Sequence, residues 1–459
     1  MIAMTKITYQ QENDALVRSF LEHTFFKAWK TKDPAYINFQ SLEIILNYKC
    51  NLGCKYCYVN RYGKQLYPPE LYADETRLLT NLEMILDWLI EHNYAPKLEF
   101  FSGEALVQDI GHKAINMVLD KLDGQIKTKI IIPTNYTFLL SDHLTEKVET
   151  LLSRSREIKI PIMLSASFDG KYCESNRPFG ERHGQLDNSR VWRWKNSNLG
   201  FDPRDDNYYN KCFAFAKKWE FGFHPMIYSI GIEKWIDNFL WFQEMFKKHN
   251  IPWTNLYLLE VRNPEWTIRQ TNEFANFMRF LIKWSYKMCR NNKTRYLQFL
   301  FKHRGFNILA NPLTTHGRGI GCSFQSMIYL RLGDLALVPC HRTSYEPFVL
   351  GYFKTKNGRI VGIESRNPEL TITKHIFTAR TFPYCEQCLL RSLCSFGCLG
   401  SQLETTGDLF TPIPTVCRLQ HAKINAMIET YKELGLFESI LTRVNDEKMQ
   451  TLKKLEELV

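Results

Sequence analysis

Apolar residues recur along this chain with two periods, and each change of period marks a new element. Between residues 41 and 263, short apolar runs alternate with longer stretches whose apolar positions return every three or four residues. Such alternation predicts strand and helix in turn, the pattern of βα units around a parallel sheet. Strands are expected at 42–46, 97–101, 129–133, 163–168, 225–230 and 255–261. Six βα units suit an α/β fold of the partial (β/α)6, TIM-like barrel kind; periodicity alone does not separate it from an open doubly wound sheet.

Other segments depart from the alternation. Residues 1–40 form a short aromatic lead-in with a helix expected near 11–30, too short for a separate peptide-binding domain. Residues 181–204, rich in charge, Asn, Gly and Trp, read as an insertion or mobile loop after the fourth strand, and loops of that length are often functional. A long amphipathic helix at 267–289 leads out of a unit spanning 41–310. From 311 to 420 the helical period gives way to Gly, Pro and Cys, with a hairpin expected at 327–332 and 335–338, turned by Gly333-Asp334. That is the composition of a small domain stapled by metal. Residues 421–459 read as one or two packing helices interrupted near Gly435.

Composition narrows the class. At about 150 residues per domain, 459 residues allow roughly two to four domains, and 44% hydrophobic with 23% charged residues excludes dominant disorder. No apolar run reaches the roughly 18 residues of a membrane span, and the N-terminus lacks a secretory pattern, so a cytoplasmic protein without membrane partners is expected. Thirteen cysteines without an export signal are then thiols or metal ligands, not disulfides. A net charge of +11 favours an acidic peptide, an acidic redox partner or nucleic acid. The basic residues are scattered, however, and no nucleic-acid module is recognisable, so nucleic acid is not the expected partner.

Cysteine spacing carries the chemistry. Cys50, Cys54 and Cys57 follow the first expected strand as C-x3-C-x2-C. Four thiolates close a tetrahedral metal site or fully ligate an iron–sulfur cube, whereas three leave one corner open. Zinc half-sites usually draw on C-x2-C or C-x4-C pairs and fit this spacing poorly. The triplet, with the aromatic Tyr56 just before its third cysteine, resembles the signature of the radical S-adenosylmethionine superfamily. That resemblance implies a [4Fe–4S] cluster on the triplet, S-adenosylmethionine at the open iron, and Tyr56 against its adenine. It also implies reductive cleavage of that cofactor to a 5′-deoxyadenosyl radical, which takes a hydrogen atom from an unactivated C–H bond.

Further motifs fall at the ends of expected strands, where βα barrels gather polar ligands. Ser102-Gly103-Glu104 resembles the superfamily's Gly-Gly-Glu motif, with Ser102 in place of the first glycine; Glu104 would then hold the cofactor's ammonium group. Asn135, with Thr134, and Ser165, Ser167 and Asp169 resemble positions near the ribose and methionine of the cofactor. Arg177 is a candidate partner for its carboxylate through the planar guanidinium fork, and Glu260 is a further candidate at the mouth.

Seven more cysteines follow: Cys322, Cys340, Cys385, Cys388, Cys394, Cys398 and Cys417. The C-x2-C pair alone suits zinc as well as iron–sulfur clusters. The whole array resembles the SPASM domain, which binds two auxiliary [4Fe–4S] clusters in radical enzymes that modify peptides and proteins. By that resemblance Cys385, Cys388, Cys394 and Cys417 hold the distal cluster, and Cys322, Cys340 and Cys398 the nearer one. The nearer cluster's fourth ligand is then open to a substrate thiolate, Cys173, Cys212, Cys289, His341 or solvent.

Together these resemblances imply three [4Fe–4S] clusters, S-adenosylmethionine, an electron donor such as flavodoxin or ferredoxin, and a peptide or protein substrate. Sulfatase-maturating enzymes, which form formylglycine, carry an aspartate base after the second cysteine of the auxiliary domain, whereas Cys340 here is followed by His341-Arg342. His341 is therefore the candidate catalytic residue. The sequence favours a maturase that cross-links a ribosomally made peptide through a thioether or carbon–carbon bond. A formylglycine-forming enzyme and a non-catalytic, metal-stapled binding protein are the alternatives.

Overall fold

Five apolar runs pair edge to edge in the computed structural model, which describes residues 41–101, 103–179, 202–314, 327–367, 370, 383–394 and 397–458. β1 (Ser41–Ile45), β2 (Lys97–Phe100), β3 (Ile130–Thr134), β4 (Ile162–Ala166) and β5 (Gly222–Phe223) lie parallel in that order. Helices Glu75–Glu91, Asp109–Leu122, Asp142–Glu157 and Asp206–Trp219 make the crossovers. Asp74, Ser141 and Asp205 start three of them, each accepting a backbone N–H three residues on. Alternate strand residues such as Leu42, Ile44, Leu98 and Ile130 are buried in one core with the helical stripe Leu78, Leu82 and Ile85.

The last two expected strands are shorter than their apolar runs. The run expected at 225–230 narrows to β6 (Met226–Ile227), and β5 forms ahead of it; Pro225 between them has no N–H, and the Met226 N–H is drawn to Asp169 Oδ1 at 2.9 Å. The run expected at 255–261 narrows to β7 (Leu259–Glu260), which pairs parallel with β6. A single bridge between Phe223 and Leu256 continues the ladder from β5.

The hairpin expected in the cysteine-rich segment is present as β8 (Met327–Arg331) and β9 (Ala336–Val338). β8 lies parallel against the free edge of β1, and β9, β10 (Gly351–Lys356) and β11 (Arg359–Ser365) extend the same sheet antiparallel to nine strands among the described residues. The result is an α/β fold around a mostly parallel central sheet.

Helix Ile268–Met288, expected at 267–289, opens with a capping box between Thr267 and Gln270. Helix Pro414–Glu433 packs along it, with Arg279 Nη2 2.6 Å from Glu429, and helices Phe437–Leu441 and Asp446–Glu456 follow. The helix expected at 11–30 and most of the 181–204 insertion lie outside the described residues, as do Ser102 and Cys322. No helix among the described residues is long and apolar enough to cross a membrane.

Candidate active site

The loop leaving β1 carries the cysteine triplet and is tied down by its backbone. Gly53 N–H donates to Pro178 O (2.8 Å) and Lys55 N–H to Asn176 O (2.9 Å), so the segment after β4 clamps the loop. Burial pushes all three thiols up, Cys54 to about 12; the neighbouring thiols raise Cys50 and Cys54 further, while Arg177 pulls Cys54 back. Among the described residues no three His, Cys, Asp or Glu side chains gather around a single metal ion. Each thiolate of a [4Fe–4S] cube binds a different iron, which needs a wider triangle, and three interacting thiols at the strand-end mouth suit that donor set.

Gly103 and Glu104 press directly on this loop. A Cβ on Gly103 would stand 2.0 Å from Lys49 O, and Glu104 N–H donates to the same oxygen at 2.9 Å. Gln108 Nε2 reinforces the contact by donating to Lys49 O (2.9 Å) and Glu104 O (2.8 Å). Gly103→Ala is therefore expected to force the two backbones apart and cost about 1–3 kcal/mol. Thermal unfolding checks this, and an unchanged melting temperature would mean that the loop has room to spare.

Glu104 is fully buried at the sheet's carboxyl edge. Its carboxylate accepts from Thr134 Oγ1 (2.7 Å) and from the Asn135 backbone N–H. Burial outweighs these donors and raises the carboxyl to about 7. Asn135 also reaches the cysteine loop: its Nδ2 donates to Asn51 Oδ1 (2.9 Å) and lies 3.8 Å from Cys50 Sγ. Asn51 Nδ2 donates to Thr137 Oγ1 (2.8 Å), which donates to Asn135 Oδ1 (2.6 Å), closing a three-membered ring of hydrogen bonds. Asn51 lies within the triplet and Thr137 two residues beyond Asn135, yet neither is among the sequence candidates.

A second cluster forms around Asp169. Its Oδ2 accepts from Tyr56 OH (2.7 Å), and its carboxyl is raised to about 6 by burial, against the pull of Arg177. Gly170, at φ +92°, makes the turn beneath it, where Asn238 leaves no space for a Cβ. Arg177 is buried, donates to Ser167 O and lies 3.6 Å from Glu174, while its Nε has no hydrogen-bond partner. Glu174 is held in turn by Arg204 at 2.6 Å. Ser167 N–H donates to Thr134 O (2.8 Å), and Ser165 Oγ lies 3.4 Å from Nδ1 of His224, whose Nε2 has no partner. His224, absent from the sequence candidates, is lowered by burial to about 4.

Tyr56, Gly103, Glu104, Asn135, Asp169 and Arg177 thus meet at the triplet. No family model matches this sequence, and no curated protein matches it. Among solved structures, anSMEcpe with bound AdoMet (S-adenosylmethionine) and the Cp18Cys peptide aligns at TM-score 0.53 and 17% identity, over 88% of this chain and 99% of the other. The same protein carrying a hexahistidine tag, with bound AdoMet, aligns at TM-score 0.55 and 15% identity, over 90% and 98%. anSMEcpe is an anaerobic sulfatase-maturating enzyme of the radical S-adenosylmethionine kind. This chain has the radical S-adenosylmethionine enzyme fold. Streptococcus suis SuiB bound to its precursor peptide SuiA aligns more loosely, at TM-score 0.44 and 13% identity, over 90% and 82%.

Within this radical S-adenosylmethionine fold the later cysteines form two groups. Cys385, Cys388, Cys394 and Cys417 are close enough to interact, and burial with mutual repulsion pushes Cys385 to about 12 and Cys417 to about 11. Cys340 and Cys398 meet through Arg342, whose N–H lies 3.4 Å from Cys340 Sγ and whose Nη1 lies 3.5 Å from Cys398 Sγ. Burial raises the Cys398 thiol, but Arg342 overrides it and holds the group below its ordinary value. Cys173, Cys212 and Cys289 are packed in the hydrophobic core. His341 stacks on Phe101 at 4.1 Å and faces Tyr58 at 5.1 Å.

Glu260 does not face the mouth as a free carboxylate. Its Oε1 accepts from Gln420 Nε2 (2.9 Å) and Lys423 Nζ (3.1 Å), with Arg262 at 3.2 Å, so it anchors helix Pro414–Glu433 to β7.

Proposed function

We propose that this protein is a radical S-adenosylmethionine enzyme of partial (β/α)6 barrel type with a SPASM-like auxiliary domain, acting on a ribosomally made peptide to form a thioether or carbon–carbon cross-link. The observation that carries it is the buried triplet loop locked against Gly103, Glu104, Asn135 and Asp169, on a fold shared with a protein solved with AdoMet and a peptide. Cluster and cofactor, when bound, supply the radical that removes a substrate hydrogen atom.

The chain's own residues bind and orient. Cys50, Cys54 and Cys57 would hold the first cluster, Cys385, Cys388, Cys394 and Cys417 a second, and Cys340 and Cys398, with Cys322, a third. Glu104 would accept from the cofactor ammonium, Arg177 would pair with its carboxylate, and Tyr56 would sit against adenine. Asn135, Ser165, Ser167 and Asp169 would line the ribose and methionine. A formylglycine product, favoured by the likeness to anSMEcpe, is the second reading; His341 and Arg342, in place of an aspartate after Cys340, count against it. A small acidic electron donor, flavodoxin or ferredoxin, suits the net charge of +11.

Anaerobically purified protein should be brown, hold about twelve irons per chain, and release 5′-deoxyadenosine when reduced with S-adenosylmethionine. Colourless, zinc-loaded protein would refute the proposal. With a co-expressed candidate peptide, mass spectrometry should show the loss of two hydrogens, whereas formylglycine would establish the second reading.

The acidity of Glu104 sets a pH dependence. Its folded value, about 7, lies above the ordinary 4.5, so burying it costs stability progressively as pH rises from about 4.5 through 7. A bound ammonium group favours the ionised form. S-adenosylmethionine affinity is therefore expected to fall about tenfold for each pH unit below 7, and Glu104→Gln should flatten that slope while weakening binding. Equilibrium binding across pH 5 to 8 checks both.

A further inference from the structure

The face of the sheet turned away from the helices carries a row of chemistry that cofactor binding does not use. Strand register places Tyr329 of β8, Glu43 of β1, Glu99 of β2, Ile131 of β3 and Met163 of β4 side by side. Met163, in the middle of its strand, is 48% exposed, so this face is open at β4, while Glu43 and Tyr329 at the other end of the row are buried. Two neighbouring carboxylates in such a row are unusual, because like charges on adjacent strands repel.

Among the described residues a single cation answers them. Lys97 Nζ lies 3.3 Å from Glu99, whereas Glu43 is 1% exposed and its Oε1 has no hydrogen-bond partner. Burial, with Glu99 next to it, pushes the Glu43 carboxyl up to about 9, an effect that Tyr329 and the more distant Lys97 only partly offset, and this keeps it protonated. Tyr329, hydrogen-bonded to Glu43, leads from the pair toward the triplet: its ring lies 5.9 Å from Phe101 and 5.0 Å from His341, which faces Tyr58, the neighbour of Cys57 in sequence. Carboxylates beside aromatic rings form a receptor for a cation.

We propose that Glu43 and Glu99 seat a cationic side chain of the substrate, a lysine ammonium or an arginine guanidinium, beside the radical site. The proposal rests on the peptide reading above. On binding, the cation replaces the proton of Glu43, which leaves to solvent, and its hydrogen bonds satisfy the empty Oε1. The local sign is opposite to the chain's net charge of +11, which concerns its long-range field and not this row.

The test uses the reconstituted holoenzyme and three acetylated, amidated pentapeptides, Gly-Gly-X-Gly-Gly, with X lysine, arginine or norleucine. Calorimetric titration should show a cationic peptide binding at least about tenfold tighter than the norleucine peptide, the scale of a charge-assisted hydrogen bond. Glu99→Gln and the double variant Glu43→Gln/Glu99→Gln should reduce that preference to less than about twofold. Glu99→Gln guards against misfolding of the double variant, since the Glu99 side chain is already 15% exposed. Equal binding of all three peptides, or a preference that survives the double substitution, would overturn the site. Release of 5′-deoxyadenosine without peptide is read on the same preparations. An enzyme that cleaves the cofactor but shows no preference refutes the cation site alone, and one that prefers cations but cleaves nothing refutes the radical reading.

Discussion

Protein in which Cys50, Cys54 and Cys57 are all replaced by alanine is expected to release no 5′-deoxyadenosine, and its iron content should drop from about twelve to about eight per chain. The expectation follows from the position of the triplet. The three thiols lie in a loop beyond the end of β1, outside the sheet ladder, so their loss should leave the sheet intact while removing one complete donor set. Cys212→Ala and Cys289→Ala are the controls. Both cysteines are buried in the hydrophobic core, and their replacement should cost some stability but no iron. Iron analysis and anaerobic turnover decide the matter: cofactor cleavage persisting in the triple variant would remove the triplet from the reaction.

Lys423→Met is expected to cost about 3–5 kcal/mol of stability. Glu260 and Lys423 have 2% and 4% exposed side chains, so removing the ammonium leaves a carboxylate buried with only Arg262 and Gln420 to answer it. Glu260→Gln/Lys423→Met should recover most of that loss, because no uncompensated charge remains. Although burial alone would raise Glu260, Lys423 and Arg262 hold it well below the usual carboxylate range. Its folded value lies below its unfolded one, so its stabilisation is present above about pH 4.5 and is lost as pH falls further. Urea denaturation at pH 7 and pH 4 measures both effects. A single variant as stable as the parent would show that the helix Pro414–Glu433 docks without this ion pair.

Elements governed by neighbouring residues are legible in advance. The first four strands fall within a residue or two of their apolar runs, and helix Ile268–Met288 starts where Thr267 and Gln270 form a capping box. The fifth expected strand is short for a reason that only the fold completes: Pro225 withholds a donor, and Asp169 captures the next one. Site residues divide along the same line. Glu104, Asn135 and Asp169 sit at strand ends beside short polar motifs, whereas Thr137 and His224 are ordinary polar residues until the fold brings Thr137 to Asn51 of the cysteine loop and His224 to Ser165. Glu260 has the strand position of a mouth residue, but its partners come from a helix at the far end of the chain.

Donor atoms and their local spacing are written in the chain: three thiols in one loop, seven more downstream, and alternating strands and helices. These depend on residues a few positions apart, whose covalent connection fixes their geometry. Folding in three dimensions is what joins β8 to β1 in one sheet, stands Arg342 between Cys340 and Cys398, and lays Glu43 beside Glu99. Those placements depend on register between distant segments, set by burial of the opposite apolar face, and no local pattern records which polar residues that burial aligns.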